Sequence, residues 1–151
     1  MRAVVQRVTR ASVHVERELI AEIGPGLLVL VAVSPTDRER EADWLAAKLA
    51  DLRIFENNLG KLDRSVRDIE GEALVVSQFT LYADTRKGRR PSFSAAAEPG
   101  RANELYSYLV DRFVQLGIPT QKGRFGAHME VDLLNDGPVT LVIDVPESSA
   151  V

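Results

Sequence analysis

The chain has 151 residues, is 45% hydrophobic and 27% charged, and carries a net charge of −3, a size that predicts one domain over 1–151 around one core. It has no cysteine and only two histidines, His14 and His128. That excludes a disulfide framework, thiol catalysis and Cys-based zinc sites, so no metal or other cofactor is expected. No apolar run reaches the length of a membrane helix and no signal-peptide layout opens the chain, so the expectation is a cytoplasmic protein without a membrane partner.

The first elements are β. Ala3 to Val8 and Ala11 to Val15 carry β-branched residues in partial alternation, with a hairpin turn at Glu16-Arg17-Glu18. After the Gly24-Pro25-Gly26 turn, Leu27 to Val33 is a continuous apolar run, too short for so apolar a helix, and reads as a fully buried strand. Thr36-Asp37-Arg38-Glu39 fits a capping box. The helix it opens runs to about Leu52, with Leu45, Leu49 and Leu52 on one face. Arg53-Ile54-Phe55 reads as a short strand, and Glu56 to Gly71 as a loop or weak hairpin.

Glu72 to Tyr82 reads as another apolar strand, followed by a loop through Phe93 that holds Arg86, Lys87, Arg89 and Arg90. A second helix spans about Arg101 to Leu116, with Gly117 as its stop. Strands are expected at Pro119 to Arg124, His128 to Leu134 and Val139 to Val145, the last two separated by a turn at Asn135-Asp136-Gly137-Pro138. The fold class is therefore α+β: a curved or barrel-like, mainly antiparallel sheet with two packed helices.

Much familiar chemistry is missing. There is no phosphate-binding loop, no dinucleotide fingerprint, no H-E-x-x-H pair and no nucleophile elbow. Two clusters remain. Ser77-Gln78-Phe79-Thr80-Leu81 closes an apolar strand, where departing backbone can expose hydroxyls and unpaired N–H groups of the kind an oxyanion hole needs; equally, Ser77 and Thr80 can simply bond to neighbouring backbone. Asn135-Asp136-Gly137-Pro138-Val139-Thr140 is a tight turn on the plain reading, while its Gly-Pro bond is a candidate cis peptide that would turn two carbonyls to one side. The basic loop suits either phosphate contact or simple solvation in an otherwise acidic chain.

Taken together, these two segments resemble the signature motifs of the D-aminoacyl-tRNA deacylases. The resemblance continues in Gln6-Arg7-Val8-Thr9-Arg10-Ala11-Ser12-Val13, in Gly24 through Val31, in Ala83-Asp84-Thr85-Arg86-Lys87-Gly88 with Arg90-Pro91-Ser92-Phe93, and in Arg124-Phe125-Gly126-Ala127-His128-Met129. It covers nearly the whole chain, with His128 standing where some members carry an acidic residue.

The resemblance implies a homodimer that hydrolyses the ester between a D-amino acid and the tRNA 3′ adenosine, and that accepts glycine on tRNA. It implies that Ser77, Gln78, Phe79 and Thr80 line the reacting ester. Gly137 and Pro138 would form a Gly-cisPro motif that enters the partner subunit's pocket, takes the α-amino group and excludes L side chains. Arg7, Phe125 and Met129 would orient that motif or meet the adenosine. Arg86, Lys87, Arg89 and Arg90 then stand where RNA phosphates would approach. Thr80 is expected to position substrate or water rather than act as nucleophile. The competing readings are a non-catalytic nucleic-acid-binding module that uses the basic loop, and a general small-molecule esterase.

Overall fold

A computed structural model describes residues 1–147. In chain order its strands and helices are β1 (Arg2–Val15), β2 (Glu18–Ile23), β3 (Gly26–Ala32), α1 (Glu39–Asp51), β4 (Phe55–Glu56), β5 (Leu62–Arg64), β6 (Glu72–Ser77), α2 (Pro99–Gln115), β7 (Thr120–Lys122) and β8 (Glu130–Asp144), with a single 3₁₀ turn, Phe79–Tyr82, after β6. The main sheet runs β2-β1-β3-β6-β7, and β8 joins it on β1. β1 pairs antiparallel with β2, β3 and β8, whereas β3–β6 and β6–β7 are parallel. The sheet curls until its ends meet: the Glu22 N–H on β2 donates to the Gln121 side chain on β7 at 2.9 Å. The result is the barrel-like α+β architecture expected.

β3 is apolar throughout because both of its faces are buried. Leu28 points into the curl with Val8, Ala11, Val13, Leu74 and Val76. Leu27, Val29 and Val31 point the other way, toward Leu45 and Leu49 of α1 and Leu105, Leu109 and Phe113 of α2. β6 divides in the same manner, and the Tyr106 hydroxyl of α2 donates to the Val75 carbonyl at 2.7 Å. Both helices thus lie on one face of the sheet, over β3 and β6.

Several boundaries differ from the sequence-based expectation. The two N-terminal strands are one, β1, whose pairing with β8 shifts register between Gln6 and Val8 and again between Val8 and Arg10. The first helix starts later than the Thr36 box implies. The Asp37 carboxylate is taken by the Ser34 N–H at 2.7 Å and the Met1 ammonium at 2.6 Å, and the reciprocal bond is made by the Arg38 N–H to Glu41 at 2.8 Å. Of the short strand expected at 53–55 and the loop or weak hairpin expected in 56–71, the structure makes one small hairpin, β4 with β5, that begins at Phe55. The strand expected to reach Tyr82 stops at Ser77, and the expected turn at Asn135–Pro138 lies within the single long strand β8.

Gly26 is the tightest point of the sheet: a Cβ there would stand 1.9 Å from the Glu72 carbonyl oxygen. Backbone on the neighbouring strand cannot give way as a side chain can. Gly26→Ala is therefore expected to cost at least about 1–3 kcal/mol, read as a lower urea midpoint with unchanged slope.

Candidate active site

β6 carries Ser77 to the end of the sheet. The Gln78 N–H still donates to the Val31 carbonyl at 2.7 Å, and the chain then closes the 3₁₀ turn with Leu81 N–H on Gln78 O at 3.1 Å and Ala83 N–H on Thr80 O at 3.0 Å. A turn of this kind leaves its first N–H groups without partners inside it, here those of Phe79 and Thr80. The Gln78 side-chain amide bonds to the Thr80 hydroxyl, which ties together the two side chains that flank Phe79.

Beside the turn lies a cavity of about 390 Å³, and Ser77, Phe79, Phe125 and Met129 all line it. Ala96 and Ala97 form its small-residue wall, held just beyond the end of β3 by the Ala97 N–H on the Val33 carbonyl at 2.8 Å. Phe93 closes the same side: its ring meets Phe79 edge to face, centroids 5.1 Å apart and planes at 71°. Opposite, Met129 packs onto Gly123, where a Cβ would come within 2.7 Å of the Met129 sulfur, and Phe125 tilts against Tyr106 at 6.1 Å. Such a mostly apolar slot with a few polar groups at its rim suits a flat ring attached to a polar reacting centre. Gln78 and Thr80 do not line the slot.

Arg7, Gly137 and Pro138 form a second cluster, outside this cavity. Along β8, Thr140 pairs with Gln6 and Asn135 with Val8, so residues 136–138 and Val139 bulge opposite Arg7 alone. The Gly137–Pro138 peptide bond is cis, and Gly137 has φ 142°. The Arg7 side chain is buried; it donates to the Asp136 carbonyl at 2.9 Å and the Ile54 carbonyl at 2.8 Å, with the Asp136 carboxylate 3.4 Å away. Asn135 closes the base of the bulge, donating to the carbonyls of Arg7 at 3.1 Å and Val139 at 2.9 Å. Gly137 and Pro138 are left exposed at its tip.

The basic loop is a third group. Asp84 and Ser92 exchange backbone hydrogen bonds of 2.7 and 2.9 Å and pinch off residues 85–91. Arg86 is engaged by Asp84 at 2.7 Å, and the Arg86 hydrogen bond holds the Asp84 carboxyl below its ordinary range. Lys87, Arg89 and Arg90 are exposed. Phe93 and Asn135 join the site without being expected there, although both lie inside the motifs. Their only signal in the sequence is position: Phe93 directly after the loop, Asn135 directly before the bulge. Among the described residues no group of His, Asp and Glu side chains is placed to hold a metal ion.

Likeness to known proteins defines a hydrolase of the aminoacyl-tRNA deacylase class. A family model described as D-Tyr-tRNA(Tyr) deacylase matches residues 4–144, and the chain belongs to that family. It is 55% identical to a D-aminoacyl-tRNA deacylase of Ruegeria pomeroyi over 96% of this chain and 100% of that one. With the enzyme of the same description from Cereibacter sphaeroides it shares 59% identity over 93% and 97%. A solved structure described as c-Myc DNA Unwinding Element Binding Protein superposes with a TM-score of 0.92 at 41% identity, covering 97% of this chain and 100% of that one. Another, described as a probable eukaryotic D-amino acid tRNA deacylase, shares the fold with a TM-score of 0.83 at 18% identity, over 95% and 98%.

The Arg7 clamp makes the site's stability testable. A lysine carries one point charge on a flexible stem and cannot serve two carbonyls in the fixed directions of a guanidinium fork. Arg7→Lys is expected to lose one charged hydrogen bond, about 1.5–3 kcal/mol, measured by urea unfolding. An equally stable variant would show that the fork does not hold the bulge.

Proposed function

We propose that this enzyme hydrolyses the ester linking a D-amino acid to the 3′ adenosine of tRNA in the cytoplasm, and that it also clears glycine from tRNA. The observation that carries this reading is the division of the motif residues into two places. Ser77, Phe79, Phe125 and Met129 share one cavity, while Gly137 and Pro138 sit on an exposed bulge that does not line it. In a homodimer the bulge of one copy would enter the cavity of the other. Each site would then be built from two chains.

The slot would take the adenosine, with Phe125 and Met129 against the base. The ester carbonyl would lie at the turn, its oxygen facing the N–H groups of Phe79 and Thr80. Water adds to the carbonyl carbon and gives up a proton, the negative charge on the carbonyl oxygen is stabilised by those N–H groups, and the bond to the ribose oxygen breaks as the ribose oxygen takes up the proton that water released. A general base contributes typically ~10²–10⁴-fold, whereas a single oxyanion donor supplies about 10²–10³-fold. For an ester already activated by its ribose, donors and positioning carry the reaction. Thr80, tied to Gln78, positions water or substrate rather than attacking.

Handedness would be judged by main chain. One methylene in a side-chain pocket is worth only about 1–3 kcal/mol, and contacts of that kind cannot reject all L-amino acids while accepting many D ones. Carbonyls of Gly137 and Pro138 binding the α-amino group, with the bulge walling off the L side, act on every amino acid alike. Arg86, Lys87, Arg89 and Arg90 would meet phosphates of the acceptor end without reading sequence.

A second reading, a nucleic-acid-binding module, is favoured by the name of the 41% identical DNA-binding relative and by the basic loop. One assay separates the two. Incubated with D-tyrosyl-tRNA and L-tyrosyl-tRNA, the enzyme is expected to clear the first and spare the second, whereas a binding module clears neither. Gly137→Ala, whose new Cβ would stand 2.8 Å from Val139, is expected to lower the D-over-L preference at least about tenfold. An unchanged preference would remove the bulge from the mechanism.

A further inference from the structure

The 3₁₀ turn that carries Phe79 and Thr80 has no buried residue. Phe79 and Thr80 are exposed and Leu81 and Tyr82 only half-buried, so core packing alone does not fix the turn and its geometry depends also on the polar and aromatic contacts that reach it. At the entry these are the Gln78 N–H on Val31 O and the Gln78–Thr80 side-chain bond. At the exit the Arg2 side chain reaches the turn, from the strand end beside Ala32, the same edge of the sheet at which β6 stops.

We infer that Arg2 is a positioning residue for the reaction proposed above, holding the Phe79–Tyr82 turn at the orientation its free N–H groups need. The Arg2 guanidinium donates to the Leu81 carbonyl at 3.0 Å and to the Asp144 carboxylate at 2.7 Å, and stands 5.1 Å from the centre of the Tyr82 ring. Its three contacts use its planar fork and its face at once, which a lysine cannot reproduce. The Leu81 carbonyl belongs to the carbonyl end of the turn, where a cation is electrostatically favoured. Burial, reinforced by Asp37, pushes the Tyr82 phenol up to about 12, so a neutral ring faces the guanidinium.

Arg2 itself is fixed on both sides. Its backbone pairs with Ala32 of β3 and Asp144 of β8, and Met1 before it is tied through its ammonium to Asp37. As an isolated ion pair, Arg2–Asp144 is partly exposed and of little energetic weight; its consequence is geometric. Arg2, Tyr82 and Asp144 also border a separate cavity of about 640 Å³ that shares no lining residue with the apolar slot, which gives a small cation access to the position of the guanidinium.

The test has two arms on the full chain. In hydrogen exchange, Arg2→Ala is expected to speed exchange of the Leu81 and Ala83 amides at least about tenfold, with the Leu109 amide in α2 unchanged. In turnover of D-tyrosyl-tRNA, kcat is expected to fall about tenfold, in line with a displacement well under 1 Å. Affinity for a non-hydrolysable D-aminoacyl-adenosine amide should stay within about twofold. Ethylguanidinium should restore part of the lost kcat in Arg2→Ala and nothing in Arg2→Met, whose side chain fills the place without a cation. Unchanged exchange at Leu81 and Ala83 overturns the inference, as does a fall in kcat that ethylguanidinium fails to relieve. If the wild-type enzyme clears no D-tyrosyl-tRNA, the proposed function fails, and the exchange arm alone decides whether Arg2 holds the turn.

Discussion

The buried guanidinium of Arg7 is the interaction on which the organisation of this molecule turns. A positive charge inside the protein is costly unless hydrogen-bonded in full, and here the satisfying groups are main-chain carbonyls from two distant segments, Ile54 after α1 and Asp136 in β8. Meeting the needs of one side chain therefore forces two pieces of backbone into fixed relation. β8 can leave its ladder for residues 136–138 only because Arg7 and Asn135 occupy the gap it leaves. The exposed tip at Gly137 and Pro138 is the product of that arrangement.

The cavity has a different origin. Parallel pairing of β3 with β6 brings the ends of both strands to one edge of the sheet, and ligand sites commonly form at such strand ends. Ser77 and the turn beyond it are delivered there by β6, and the alanine wall is delivered by the segment leading into α2. The two clusters are thus made by opposite devices. A closed parallel ladder runs out to open a slot, and an antiparallel ladder is interrupted to push out a bulge.

What the sequence discloses follows the reach of the forces involved. β3 and both helices are legible because an unbroken apolar run and a 3.6-residue stripe record burial directly. The turn at Phe79–Tyr82 reads as strand because its side chains are apolar or β-branched; in the structure Phe79 is 53% exposed and meets Phe93, 14 positions further on, a contact no local pattern records. Asn135–Pro138 reads as a hairpin turn because Gly and Pro are turn residues, and the bulge needs Arg7, more than a hundred positions away. The Thr36 cap fails for a similar reason, since Asp37 is committed to Met1 and Ser34. Ser77 to Thr80, Phe125, Met129, Gly137 and Pro138 are found through the family resemblance. Ala96, Ala97 and Arg2 carry no motif, because their roles exist only in three dimensions.

The central claim is that cavity and bulge act together across two chains, and subunit mixing tests it most directly. One variant, Ala127→Trp, fills the cavity and keeps the bulge; the other, Gly137→Ala, distorts the bulge and keeps the cavity. Each alone is expected to have little activity on D-tyrosyl-tRNA. Refolded together in equal amounts, they should recover about a quarter of wild-type activity, because half of the dimers would hold one intact composite site. A mixture no more active than its components would contradict the account, since it would mean that no intact cavity is ever completed by another chain's bulge.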